Sequence, residues 1–155
     1  INFAAESHVD RSIDDPLYFI NNNINIASNL FFSYVKYSKS NKAKLFHIST
    51  DEVYGSVINK RSKEFDGYNP ASPYSASKAS VDMIALSFNK TFNSEIKIIN
   101  LSNNYGPYQF PEKFIPNIIL HLFKNKPVPI YGKGKNIREW MYVEDCCSAI
   151  LKTIL

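Results

Sequence analysis

The chain has 155 residues, 45% of them hydrophobic and 21% charged, which suits one modest globular domain with a core of its own. Its net charge of +4 comes from scattered cations (Lys36, Lys39, Lys42 and Lys44, then Lys60, Arg61 and Lys63), so it describes a solvated basic surface and not a nucleic-acid track. No apolar run reaches the roughly 18 residues of a membrane span, and no signal peptide is visible.

In chain order, Ile1 to Ala5 reads as the end of a buried strand. Asp15-Pro16 opens a helix, with Pro in its first turn and Leu17, Ile20, Ile24, Leu30, Phe31, Tyr34 and Val35 at helical spacing. Its asparagines (Asn21, Asn22, Asn23, Asn25, Asn29) are poor helix formers, so tertiary packing has to hold it. Lys44 to Ser49 predicts a second strand, and Val53 to Pro73 a loop broken by Gly55, Gly67 and Pro70. Ser75 to Phe92 predicts a helix, Ile96 to Leu101 a strand and Asn103 to Pro111 an irregular loop. Glu112 to Lys124 predicts a helix and Val128 to Tyr131 a short strand. Gly132 to Gly134 reads as a turn, Trp140 to Val143 as strand-like and Glu144 to Leu155 as a last helix.

Strand, helix, strand, helix, strand is the order of an α/β protein with a parallel sheet and crossover helices. Ligands of such sheets sit at the carboxyl ends of the strands. Ala4 to Ser7, Ser49 to Glu52 and Ser102 to Asn104 all fall at such ends. Adjacent Cys146 and Cys147 suit neither a disulfide nor a zinc site, and read as buried small residues in a reducing compartment. No metal site is expected.

Tyr74-Ser-Ala-Ser-Lys78 puts a phenol and an ammonium four residues apart, on one helix face. A cation there favours phenolate, and a phenol so tuned can exchange a proton with a hydroxyl. It follows a strand that ends Ser49-Thr-Asp-Glu52. Two neighbouring acids at a core strand's end are either a solvated terminus or a pair with separate tasks. On an extended chain they would point different ways.

Together these features resemble the extended branch of the short-chain dehydrogenase/reductases, which acts on nucleotide sugars. Five stretches narrow the resemblance to the dTDP-glucose 4,6-dehydratase family: Ala4 to Ile13, Ser49 to Gly55, Ser72 to Ser80, Ser102 to Tyr108 and Pro129 to Gly134. They occur in the family's order and cover essentially the whole chain. The resemblance implies a partial Rossmann-type, doubly wound parallel sheet, with the NAD-binding and catalytic part at residues 1–107. The start of a smaller substrate domain is expected at 108–155. It implies NAD+ as cofactor and a nucleotide-sugar substrate. Thr50, Asp51, Glu52, Tyr74 and Lys78 correspond to the catalytic set. Tyr74 would take the C4 hydroxyl proton, Thr50 would orient the sugar, Lys78 would hold the cofactor ribose, Glu52 would act as base at C5 and Asp51 as acid to the C6 hydroxyl.

Other positions carry over one by one. Ala4 and Ala5 match small residues that admit the cofactor, and Ser7 matches a contact to cofactor and substrate. Asn104 matches a residue near the nicotinamide, and Asn103 one on the substrate side. Lys113, Phe114, Pro129, Ile130 and Tyr131 match the nucleotide wall. Arg138 matches the arginine that grips the diphosphate, a task suited to a planar fork of donors. Asn22 stands where the family usually carries Thr against the cofactor. His8 lies in a matched stretch without a chemical role and is expected as a buried, hydrogen-bonded histidine.

The family's glycine-rich phosphate loop has no counterpart among the five glycines. The chain therefore reads as an internal piece of a longer protein, expected to bind NAD poorly and turn over little by itself. A homodimer through helices near 16–38 and 75–92, a cytoplasmic location and no membrane or nucleic-acid partner are expected. UDP-glucose as substrate, an epimerase or decarboxylase of the same branch, and a Rossmann module without catalysis are the alternatives.

Overall fold

A computed structural model describes residues 1–56, 61–130, 134 and 137–155. The elements are helix α1 (Val9–Asp14), helix α2 (Pro16–Ser38), strand β1 (Leu45–Thr50), a 3₁₀ segment (Asp51–Tyr54), helix α3 (Pro73–Phe92) and strand β2 (Ile96–Leu101). Strand β3 (Asn103–Tyr105), helix α4 (Phe114–Phe123), strand β4 (Trp140–Tyr142) and helix α5 (Val143–Ile154) follow. The chain forms two compact units, Ile1–Leu101 and Ser102–Leu155, so the structural division falls ahead of the 107/108 boundary read from the sequence.

In the first unit β1 and β2 run parallel, in register from Leu45 opposite Ile96 to Thr50 opposite Leu101. The other edge of β1 carries Asn2, whose N–H donates to Phe46 O (2.8 Å) and whose carbonyl accepts from Ile48 N (3.0 Å). The expected strand over 1–5 is thus one bridging residue. The reason is local. The Asn2 side chain accepts from Ala4 N (3.1 Å), and Asn23 of α2 binds both Glu6 N (2.7 Å) and Glu6 O (3.1 Å). The backbone after Asn2 is satisfied by side chains instead of a ladder.

The two long helices start where Pro and a capping side chain coincide. Asp15 accepts from Tyr18 N (3.1 Å) at the start of α2, with Pro16 next. Ser72 and Ser75 form a reciprocal capping box at the start of α3. Helix α2 buries Phe19, Asn23, Ala27, Phe31, Tyr34 and Val35, a ladder at three- and four-residue steps. Helix α3 buries mostly small residues, Ser75, Ser77, Ala79, Val81 and Ala85, which lets α2 lie close. The core joins Ala27, Phe31 and Tyr34 to Val81, Ala85, Leu45 and Ile96. Of the α2 asparagines, Asn23 points inward, donating to Ser77 Oγ (2.9 Å) as well as to Glu6. Phe31 and Tyr34 are buried in this core, whereas Phe32 and Tyr37 are exposed.

In the second unit β3 pairs with β4 in parallel, Asn103 opposite Trp140 and Tyr105 opposite Tyr142. The expected irregular loop at Asn103 therefore opens with a short strand. Phe114 stacks on Trp140 with ring centroids 5.9 Å apart. The described part of the expected strand at Val128 to Tyr131, residues 128–130, forms no strand, and Tyr131 lies outside the described residues. Cys146 is buried on α5 but Cys147 is exposed, so only one matches its expected burial: adjacent helical residues point about 100° apart.

Candidate active site

β1 is buried along its whole length, yet its last residues are polar. Thr50 ends the strand, and its Oγ1 accepts from Glu52 N (3.3 Å), capping the 3₁₀ segment that holds both acids. The cap turns the chain, so Asp51 and Glu52 are not on extended backbone as expected. Three residues per 3₁₀ turn still send neighbouring side chains about 120° apart. The segment stops at Gly55, whose φ of +74° suits glycine and whose α-carbon faces the Asn69 carbonyl so closely that no Cβ fits. Asn69 N also donates to Val53 O (2.8 Å), tying the following loop to this corner.

Tyr74 enters from the first turn of α3, fixed there by the capping box and by Ser12 Oγ of α1, which accepts from Tyr74 N (3.2 Å). Its phenol lies close to the Thr50 side chain and in the field of Glu52 and Asp51. Burial, Glu52 and then Asp51 push the phenol up to about 12, and only the Thr50 contact opposes them. Lys78 was expected to pull the phenol down. Instead burial and the neighbouring acids raise the phenol, and Lys78 lies against the strand. It is 4% exposed, and its Nζ donates to Ile48 O at 2.7 Å with His47 Nε2 at 3.4 Å. Burial pulls its ammonium down to about 8 against the field of Asp82.

The first unit therefore groups Thr50, Asp51, Glu52 and Tyr74, with Lys78 one helical turn along α3. Ala4 and Ser7 are exposed, and Ala5 and Asn22 half-buried. Asn22 Nδ2 reaches Glu6 Oε1 at 3.5 Å. His8 is half-buried and caps α1 by accepting from Arg11 N (3.3 Å).

The remaining expected site residues belong to the second unit. Asn104 turns its amide to Ser102 O (3.1 Å). Lys113 and Asn103 are half-buried, and Phe114, Pro129 and Ile130 are exposed. Arg138 is exposed and donates to its neighbour's carbonyl, Ile137 O, at 2.9 Å. Among the described residues no His, Cys, Asp and Glu cluster could hold a metal, and no helix is long and apolar enough to cross a membrane.

Two buried polar residues beside the site escaped sequence reasoning, His47 and Asp82. Each carried a signal. His47 interrupts an apolar strand, and Asp82 falls four residues after Lys78 on the helix face of Val81 and Ala85.

The family described as GDP-mannose 4,6 dehydratase matches residues 1–154. The chain belongs to that family. It is an extended short-chain dehydrogenase/reductase, and its parallel α/β fold is the Rossmann-like one of the dehydratase structures. A probable dTDP-glucose 4,6-dehydratase of Sinorhizobium fredii is 46% identical, over 97% of this chain and 45% of the relative. The dTDP-glucose 4,6-dehydratase 1 of Escherichia coli is 44% identical, over 99% of this chain and 47% of the relative. Among solved structures, a dTDP-glucose 4,6-dehydratase from Streptomyces venezuelae with NAD and TYD bound is 41% identical. It superposes with a TM-score of 0.90, over 96% of this chain and 45% of that one. A UDP-glucuronic acid 4-epimerase from Bacillus cereus, in complex with UDP-glucuronic acid and NAD, is 29% identical. Its TM-score is 0.89, over 99% of this chain and 48% of that one. The chain spans about half the length of the curated relatives it matches.

Proposed function

We propose that the full-length protein carrying this chain is a nucleotide-sugar 4,6-dehydratase that uses NAD+ and acts on dTDP-glucose. The observation that carries the reading is the pair of carboxylates, Asp51 and Glu52, held by the Thr50 cap within the field of the Tyr74 phenol. An epimerase moves a proton and a hydride at one carbon. Eliminating water across C5 and C6 needs a further base and a further acid, and this corner holds both.

The residues fit the nicotinamide end of NAD+. An ammonium has three donors, and Ile48 O at 2.7 Å takes one of them, which leaves donors for a ribose hydroxyl. The small side chains of Ala4 and Ala5 leave room for close approach. Ser7, Asn22 and Asn104 are the further cofactor contacts in this reading. When bound, NAD+ would supply the hydride acceptor for C4 and the donor for C6. Thr50 orients the sugar through O4, and Tyr74 removes the C4 hydroxyl proton. With C4 a ketone, the C5 proton is acidic enough for Glu52 to remove, while Asp51 protonates the departing C6 hydroxyl. The product is a 4-keto-6-deoxy sugar, a precursor type for rhamnose-like deoxysugars. In this reading the substrate's nucleotide and phosphates are assigned to Asn103, Lys113, Phe114, Pro129, Ile130, Tyr131 and Arg138.

A cytoplasmic homodimer through α2 and α3 completes the reading. The exposed Phe32 and Tyr37 on α2 and Met83, Leu86 and Phe92 on α3 support it. UDP-glucose is the second substrate to test. The decisive experiment incubates full-length protein, Glu52→Gln and Asp51→Asn with each sugar nucleotide. Both variants should lose the 4-keto-6-deoxy product while oxidation at C4 survives in part. Unchanged turnover would exclude a dehydratase.

A further inference from the structure

Behind the strand end lies a buried polar cluster that the proposed proton transfers do not touch. Asp82 is fully buried on α3, one turn beyond Lys78. Its Oδ2 accepts from Ser49 Oγ (2.7 Å), Tyr68 Oη (3.1 Å) and Asn100 Nδ2 (3.4 Å). Its Oδ1 has no hydrogen-bond partner among the described residues and faces His47 Nε2 at 3.9 Å. Three elements and a loop thus converge on one carboxylate: β1, β2, α3 and the segment before α3. A carboxylate without water persists only where donors or an opposite charge hold it.

The state of His47 follows from its neighbours. The Asn2 oxygen is taken by Ala4 N (3.1 Å), so the Asn2 amide nitrogen is the atom 3.1 Å from His47 Nδ1. Nδ1 must accept, and the ring proton then sits on Nε2. That Nε2–H points to the Asp82 side and stands 3.4 Å from Lys78 Nζ. A protonated Nε2 cannot accept from an ammonium. The charge of Lys78 therefore rests on the Ile48 carbonyl and on the field of Asp82. Phe31 of α2 packs edge-on against the imidazole at 5.4 Å and keeps the ring in this slot.

We propose that Asp82 is a positioning residue: its carboxylate, oriented by Ser49, Tyr68 and Asn100, keeps the desolvated Lys78 an ammonium seated on the β1 carbonyl edge, with neutral His47 as spacer. The inference rests on the function proposed above for its consequence, because an ammonium donates to a ribose hydroxyl more strongly than a neutral amine does.

The titratable groups that face this pair are His47 from β1, Tyr74 from α3, Tyr68 from the loop before α3 and Tyr54 from the 3₁₀ segment, and Asp51 and Glu52 act on Tyr74. From α2 come Phe31 and Asn23, which carry no charge. Burial and then Lys78 pull His47 down to about 3, so the spacer stays neutral at working pH. Burial pushes Asp82 up, and Ser49, Tyr68, Lys78 and Asn100 hold it down. Removing the Asp82 charge leaves burial of Lys78 unopposed.

The test reads Lys78 directly. Full-length protein labelled with ε-¹³C lysine is titrated by NMR, and the Lys78 resonance is assigned with Lys78→Met. Its midpoint should lie near 8. Asp82→Asn keeps size and an acceptor but loses the charge, and should lower the midpoint by about one pH unit or more. Asp82→Glu, and His47→Gln, which replaces one neutral group by another, should leave it in place. In turnover, the defect of Asp82→Asn should grow from pH 6.5 to pH 9, because the basic limb of the activity profile moves with Lys78. A midpoint unmoved in Asp82→Asn, or a loss equal at every pH, overturns the proposal. If Asp82→Asn does not fold, Asp82→Glu decides, and a midpoint lowered there overturns it. A shifted midpoint in a protein that forms no 4-keto product would refute the dehydratase reading and leave the positioning role standing.

Discussion

The two units spend their side chains differently. The first buries aromatic and aliphatic groups together with His47, Ser49, Thr50, Lys78 and Asp82, and each of these polar residues is held by a neighbour. Among the described residues of the second unit only Cys146 and Ile150 are buried, and α4 buries none, with Phe123 at 87% exposure. A buried polar group must be oriented by hydrogen bonds, so the candidate site of the first unit is held by its own packing. The residues proposed for the nucleotide side are half-buried or exposed where described, and Arg138 donates to its neighbour's carbonyl.

The comparison can be broken in several places. The largest effect should come from Tyr74→Phe, which keeps the ring and removes the proton carrier. Turnover of dTDP-glucose by the full-length protein should fall about 10³-fold with little change in thermal midpoint, and retained turnover would remove the chemistry from the first unit. Next is a pair of truncations. Phe31→Ala empties the buried core and should cost about 4 kcal/mol in chemical denaturation, whereas Phe123→Ala should stay within about 0.5 kcal/mol. Equal losses would mean that α4 is covered as tightly as α2.

Acid stability sharpens the same contrast. His47 has its folded pKa pulled from 6.5 to about 3, so between those values the unfolded chain binds a proton that the folded chain refuses. Its contribution is present above pH 6.5 and is lost as pH falls toward 3. Thermal midpoints measured from pH 7 to 4.5 should fall less steeply in His47→Gln than in the parent. The smallest effect on the site should come from Arg138→Lys, which keeps the charge and loses the fork. KM for the sugar nucleotide should rise about tenfold with kcat nearly constant, and a matching fall in kcat would place Arg138 in the chemistry.

Much of the first unit was legible because its signals are local. Apolar spacing with Asp15-Pro16 marks α2, and the helix expected from Ser75 begins two residues earlier, at Pro73 behind its Ser72 cap. Helix α1 was not legible, because six residues carry too little periodicity and its cap is a histidine. The 3₁₀ turn of Asp51–Tyr54 hides for a similar reason, since Thr50 caps it through a bond that a strand ending could equally lack. The strand expected at Ile1 to Ala5 failed because Asn2 and Asn23 took its backbone partners.

By itself the sequence determined the parallel α/β order and the two long helices, and its family resemblance named Thr50, Asp51, Glu52, Tyr74 and Lys78 as the candidate site. Spacing and capping are local properties, so a sequence can state them. Only the tertiary structure decided where the Lys78 charge goes. Its orientation depends on His47 from 31 residues earlier, on the Ile48 carbonyl and on Asp82, none of which spacing alone connects. Desolvation is a property of the assembled core, and it set a lysine expected beside a phenolate against the strand carbonyl at Ile48.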